Sequence, residues 1–208
     1  MKRLYLASYF TSIASLFQDE IKTDLKGKTV TFIPTAANPE KIKFFVDSDK
    51  KALQKLGFII DELDISCSDK RTIRRKIEAN EFIFISGGNT FYLLQEMIKS
   101  ESYNIILNVV ESGKIYIGSS AGSIVTSQDI KYIERMDSPK KAPELKQTKG
   151  LSLIDFYPLP HYNNAPFKKI TEKIYEEYKD KIDIKPISNN QLIVVEGGSQ
   201  RMLSVNKD

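Results

Sequence analysis

The sequence predicts an α/β protein: an open, mostly parallel β-sheet with helices on both faces. Three observations carry that expectation. Short β-rich runs alternate with helical stretches from Leu4 onward to Gly122, strand then helix, as parallel strands with crossover helices require. Phe82-Ile83-Phe84-Ile85 is apolar without alternation, the pattern of a strand buried on both faces of a parallel sheet. The 208 residues are 41% hydrophobic, enough to fill a core, and residues 1–208 read as a single domain.

The elements follow in order. Leu4 to Ala7 reads as the first strand. Ser12 to Asp24 reads as a helix with Ser12 as its cap and Ile13, Leu16, Phe17 and Ile21 on one face. Thr29 to Ile33 is a β-rich run stopped by Pro34. Pro39 is expected to open a helix that runs to Leu56 and ends at Gly57. Phe58 to Leu63 is the third strand and Arg71 to Ala79 a helix. Phe82 to Ile85 is followed by Ser86-Gly87-Gly88-Asn89-Thr90, then by helical stretches at Phe91–Met97 and Ile105–Val110. Lys114 to Ile117 is a strand that runs into Gly118-Ser119-Ser120-Ala121-Gly122. Residues 128–150 are polar and lysine-rich, a long loop that could cover a site. Ala165 to Tyr178 reads as helical. Gln191–Val195 and Arg201–Val205 read as a strand pair joined at Gly197-Gly198.

Composition excludes several function classes. The formal charge is +4, from 31 basic and 27 acidic residues, and the basic residues form short clusters rather than a stripe. Nucleic-acid binding needs a concentrated basic footprint, so none is expected. With one cysteine, Cys67, and one histidine, His161, a Cys/His metal site has too few ligands. No metal or other cofactor is expected. No apolar run is long enough for a membrane span, and the N-terminus lacks the apolar core of a signal peptide. A cytoplasmic protein is expected, and a lone Cys67, read as a small buried or half-buried residue, fits a reducing compartment.

Gly118-Ser119-Ser120-Ala121-Gly122 is Gly-x-Ser-x-Gly directly after a strand, the pattern of a sharp strand-to-helix turn that lifts a serine above the sheet edge. Ser120 holds the central position, and Ser119 reads as a structural hydroxyl. A serine needs a base to become a nucleophile, and His161 is the sole histidine. Pro158-Leu159-Pro160 stiffens the backbone before it. An acyl-transfer site also needs amides aimed at the developing oxyanion. Ala121, next after the serine, can supply one, and Gly88 another, because a glycine lets backbone approach substrate. A carboxylate should orient the imidazole. Position leaves Asp129, Glu134, Asp137, Glu144 and Asp155 open.

The runs Phe84 to Leu94, Gly118 to Ser123 and Pro160-His161-Tyr162 resemble the aspartyl dipeptidase (dipeptidase E) and cyanophycinase family, the S51-like serine peptidases. The resemblance covers most of the chain. It implies a flavodoxin-like, class I glutamine-amidotransferase-like three-layer sandwich with serine in place of cysteine at the turn. It implies Ser120 as nucleophile, His161 as base, Gly88 and Ala121 as oxyanion amides and Asn89 as a pocket residue. For the acid it favours Asp137, then Glu134. One departure matters. The dipeptidase branch reads an N-terminal aspartate with an arginine after the histidine, and Asn163 to Thr171 holds no arginine. Lys168 or Lys169 lacks the bidentate fork.

The function expected is a serine hydrolase that cleaves amide bonds of small peptides through a Ser–His–acid triad and an acyl-enzyme. The alternatives are an esterase or other acyl hydrolase, and a non-catalytic small-molecule binding protein on the same scaffold. A small peptide is the expected partner, with the chain a monomer or homodimer.

Overall fold

The computed structural model describes residues 1–205. Its centre is a seven-stranded sheet in the order β3-β2-β4-β5-β1-β8-β9, with β1 at Arg3–Ala7, β2 at Thr29–Ile33, β3 at Ile59–Glu62, β4 at Phe82–Ile85, β5 at Ile115–Ser119, β8 at Gln191–Glu196 and β9 at Ser199–Ser204. The first five strands in that order are parallel; β8 is antiparallel to β1, and β9 to β8. Two further strands, β6 (Tyr157–Leu159) and β7 (Ile184–Pro186), form a separate parallel pair. The helices are α1 (Phe10–Ile21), α2 (Phe44–Lys55), α3 (Lys70–Ala79), α4 (Thr90–Lys99), α5 (Ser102–Glu111), α6 (Ala121–Ile124) and α7 (Lys168–Tyr178). The α/β class with a mostly parallel sheet is therefore observed. None of the described helices is long and apolar enough to cross a membrane.

Two apolar layers cover the sheet because its strands alternate inward residues to opposite faces. Tyr5, Phe32, Phe84 and Ile117 face one layer with Phe10, Phe17 and Leu53 from α1 and α2. Leu6, Ile33, Ile85 and Tyr116 face the other with Ile73, Leu94 and Ile106 from α3, α4 and α5. Each such aromatic or aliphatic side chain removed from water contributes about 1.5–3 kcal/mol.

Several boundaries differ from expectation for local reasons. Helix α1 begins at Phe10 rather than Ser12, with Tyr9 as N-cap and no side-chain cap bond. Burial of Phe10 against Phe84 outweighs the capping preference of Ser12. The helix expected from Pro39 starts only at Phe44; residues 39–43 stay irregular, and Ile42 and Phe44 are exposed. The pairing of β6 with β7 had no signal in the sequence, since both are three residues long and contain proline. The 128–150 loop carries only two short 3-10 turns, at Lys131–Ile133 and Pro139–Lys141. Cys67 is exposed, not buried.

The parallel register sets β1, β4 and β5 level at their carboxyl ends, with Ala7 opposite Ser119 and Ile85 opposite Gly118. Ligands in open α/β sheets gather beyond that edge. At the turn after β5 three backbones nearly touch: a Cβ on Gly122 would lie 2.1 Å from the Ile85 carbonyl oxygen, and one on Gly118 2.6 Å from the Gly122 carbonyl oxygen. Gly122→Ala must therefore push α6 off β4. It is expected to destabilise the fold by about 1–3 kcal/mol, read as a lower urea midpoint; an unchanged midpoint would show that the turn has room the packing denies.

Candidate active site

Ser120 sits between β5 and α6 with φ 51° and ψ −107°, a left-handed conformation that costs a non-glycine residue energy. Neighbouring groups hold it there. Its N–H donates to the Ala7 carbonyl at 3.0 Å. The Ser123 hydroxyl donates to the carbonyls of Ala7 (2.7 Å) and Gly118 (3.0 Å), tying the first turn of α6 to β1 and β5. Ser119 is structural, as expected: its hydroxyl accepts the Phe10 N–H at 3.3 Å.

His161 arrives from the loop after β6, and its Nε2 lies 3.0 Å from Ser120 Oγ. Phe167 stacks on the ring at a centroid distance of 4.8 Å. The other ring nitrogen, Nδ1, meets the Asn189 side-chain oxygen at 2.9 Å and Ser8 Oγ at 3.2 Å. Ser8 Oγ donates to the same Asn189 oxygen at 2.7 Å and accepts the His161 backbone N–H at 2.7 Å. With an acceptor oxygen beside it, Nδ1 carries the proton and Nε2 is left as an acceptor facing the serine hydroxyl. Burial pushes the His161 pKa down, and the bond to Asn189 pushes it partly back. The shift favours the neutral imidazole.

The carboxylates expected to orient this ring stand elsewhere. Among the described residues no carboxylate hydrogen-bonds His161. Asp137 Oδ2 accepts the Thr90 N–H at 2.8 Å and the Thr90 hydroxyl at 2.5 Å, so it caps the first turn of α4. Glu134 ends the first 3-10 turn of the loop and is exposed. The reason is topological. The β6–β7 pair, extended by the bonds Ile187 N–H to Leu159 and Tyr162 N–H to Ile187, puts the residues after β7 beside His161, whereas the 128–150 loop packs onto α4. Sequence reading missed Ser8 and Asn189. Ser8 follows the end of β1, which only the parallel register sets level with Ser120; Asn189 had no signal in the sequence either.

Gly88 lines the same cavity with φ +136°, and a Cβ there would meet the Ala36 carbonyl oxygen at 2.1 Å. Among the described residues neither the Gly88 amide nor the Ala121 amide has an acceptor. Asn89 caps α4 through its side-chain oxygen (Tyr92 N–H, 2.9 Å) and donates from Nδ2 to the Ser138 carbonyl at 3.1 Å, which fastens the 128–150 loop over one side of the cavity. The cavity, about 480 Å³, is further walled by Tyr9, Phe44, Phe45 and Phe167. Tyr157, Tyr162 and Phe91, considered from sequence as wall residues, are not among its lining.

The chain as a whole matches a known family. The model of peptidase family S51 matches residues 4–203. The chain belongs to peptidase family S51. Membership makes it a peptidase of serine type. An uncharacterized peptidase of Listeria monocytogenes is 49% identical over 197 residues, covering 95% of this chain and 96% of that protein. One of Pasteurella multocida is 42% identical over 94% of both chains. A protein named peptidase E from a Nostoc species is 34% identical over 79% of this chain and 67% of its own length. A crystal structure from Listeria monocytogenes, provisionally described as a peptidase E protein, superposes with a TM-score of 0.95 at 46% identity, covering 99% of this chain and 100% of the other.

Beneath the site of this S51 peptidase lies a carboxyl group that sequence reading did not single out. Asp49, on α2, is fully buried. It accepts the Thr11 hydroxyl at 3.0 Å and the Ser86 hydroxyl at 3.3 Å, with the Ser119 hydroxyl also beside it. It therefore ties together the segments that follow β1 and β4 and the end of β5. Burial pushes its pKa up to about 7 from 3.8, against the pull of those hydrogen bonds. Between these values the folded chain holds a proton that the unfolded chain has lost, so stability falls as pH rises through that window. Asp49→Asn should remove this slope, at most about 1.4 kcal/mol per pH unit. Unfolding free energies of both proteins from pH 4 to 8 give the difference curve; a flat difference would show that Asp49 is ionised in the fold.

Proposed function

We propose that the chain hydrolyses an amide bond of small peptides through an acyl-enzyme on Ser120. The observation that supports this best is the 3.0 Å approach of His161 Nε2 to the hydroxyl of a serine held at positive φ above three level strand ends. His161 Nε2 takes the Ser120 proton as Oγ attacks the scissile carbonyl. The N–H groups of Gly88 and Ala121 receive the negative charge on the carbonyl oxygen, a term worth about 3–4 kcal/mol per donor in comparable sites. The imidazolium then protonates the leaving amine. A water, deprotonated by His161, releases the acyl group and restores the serine.

In this reading Asn189, with Ser8, takes the place of an acid. An amide oxygen holds the Nδ1–H tautomer, but it carries no charge to favour the imidazolium. The base is therefore weaker than one with a carboxylate behind it, in line with its lowered pKa.

A fluorophosphonate should label Ser120, located by mass spectrometry, and the label should be lost in Ser120→Ala and in His161→Ala. Labelling that survives Ser120→Ala in the folded protein would end the assignment. Asn189→Ala should lower kcat/KM by about 10- to 100-fold, less than the ~10⁴-fold typical of a charged third member. Asn189→Asp should shift the acid limb of kcat/KM to higher pH, because a carboxylate beside Nδ1 stabilises the imidazolium. A limb that stays in place would mean that residue 189 does not act on the base.

A further inference from the structure

We propose that the cavity takes short peptides with a free N-terminus and an apolar first side chain, and that Asp137 binds their α-ammonium group. The inference rests on the peptidase reading above and names the substrate class for it. Asp137 lines the cavity, and both of its recorded hydrogen bonds, from Thr90 N–H and Thr90 Oγ1, fall on Oδ2. Oδ1 receives no donor from the described residues. No buried side-chain oxygen among those residues lacks a partner, so Oδ1 is open to the cavity.

The charges around it are already spent. Glu40 and Lys141, the other charged lining residues, pair with each other at 2.7 Å. His161 is shifted toward its neutral form. Glu40 and Lys141 act on Asp137 in opposite senses, so the pair leaves Asp137 as the net negative charge of the lining. A carboxylate half withdrawn from water gains most from a ligand that brings both a positive charge and N–H donors. An α-ammonium brings both.

Its place along the substrate follows from connectivity. Thr90, which grips Asp137, is two residues beyond Gly88. In a peptide the α-nitrogen of the first residue is bonded to the carbon that carries the first carbonyl. Gly88 and Asp137 line the same cavity, and in the proposed complex the carbonyl oxygen on the Gly88 amide and the ammonium on Asp137 belong to the same residue, so that the bond cut is the first peptide bond. The first side chain then meets the apolar wall of Ile42, Phe44, Phe45, Met136 and Phe167. An acidic first side chain finds no free cation, since Lys141 is held by Glu40.

Binding and turnover separate this proposal from the one it rests on. The dissociation constants of Leu-Ala, N-acetyl-Leu-Ala and Asp-Ala for Ser120→Ala are measured by calorimetry, which needs no catalysis. Leu-Ala should bind ~10- to 100-fold more tightly than its acetylated form, and on the order of 10-fold or more tighter than Asp-Ala. Ser120→Ala/Asp137→Asn retains an oxygen for Thr90, and it should erase most of the preference for the free amine. In the single variant Asp137→Asn, Leu-Ala hydrolysis should lose efficiency mainly through KM. Equal binding of free and acetylated peptide, binding of neither, a preference that survives Asp137→Asn, or a preference for Asp-Ala overturns the proposal. Absence of fluorophosphonate labelling at Ser120 instead overturns the serine mechanism, and leaves the binding comparison to be judged by itself.

Discussion

The close approach of Gly118, Gly122 and Ile85 is the constraint on which the rest of the site depends. Two glycines let the turn after β5 fold back against β4 with no side chain between them. The chain then reverses at Ser120, which takes φ 51° and ψ −107° between β5 and α6. The strain is held by bonds made one residue at a time: Ser120 N–H and Ser123 Oγ to Ala7, Ser123 Oγ to Gly118, and Ser119 Oγ to Phe10. Such strain persists because well-packed surroundings over-determine it.

The second structural layer is polar and lies below the first. Asp49 reaches from α2 to hydroxyls at Thr11, Ser86 and Ser119, so the three segments that shape the cavity share one buried anchor. Hydroxyls are suited to this. They donate to the carboxyl group without bringing a charge, while burial shifts the group toward its protonated form, where a full negative charge would be expensive. The cavity rim is organised differently, through Asn89 to Ser138, Asp137 to Thr90 and Lys141 to Glu40. These contacts make the 128–150 loop a wall of the site.

The histidine's partners show a different economy from a charged triad. Ser8 accepts the His161 N–H and donates to Asn189, while Asn189 accepts from Nδ1, so two side chains settle position and tautomer without an acid. Asp137 is thereby released from the role its place in the chain suggested. Its charge is available to the cavity, where the pair Glu40–Lys141 is self-contained.

The sequence by itself determined the alternation of strands with helices, the buried β4, the turn with Ser120, the sole histidine His161 and the glycine loop at Gly88. All of these are local: a strand period, a glycine where backbones touch, a residue type present once. Only the tertiary structure decided what stands behind His161. Asn189 reaches it through the pairing of β6 with β7, two strands too short to announce themselves and joined by backbone hydrogen bonds across the fold. The same holds for Asp49 and Ser8, whose partners lie 37 and 153 residues away along the chain. A carboxylate's role depends on which groups face it, and that is set by the packing of distant segments, which no spacing along the chain records.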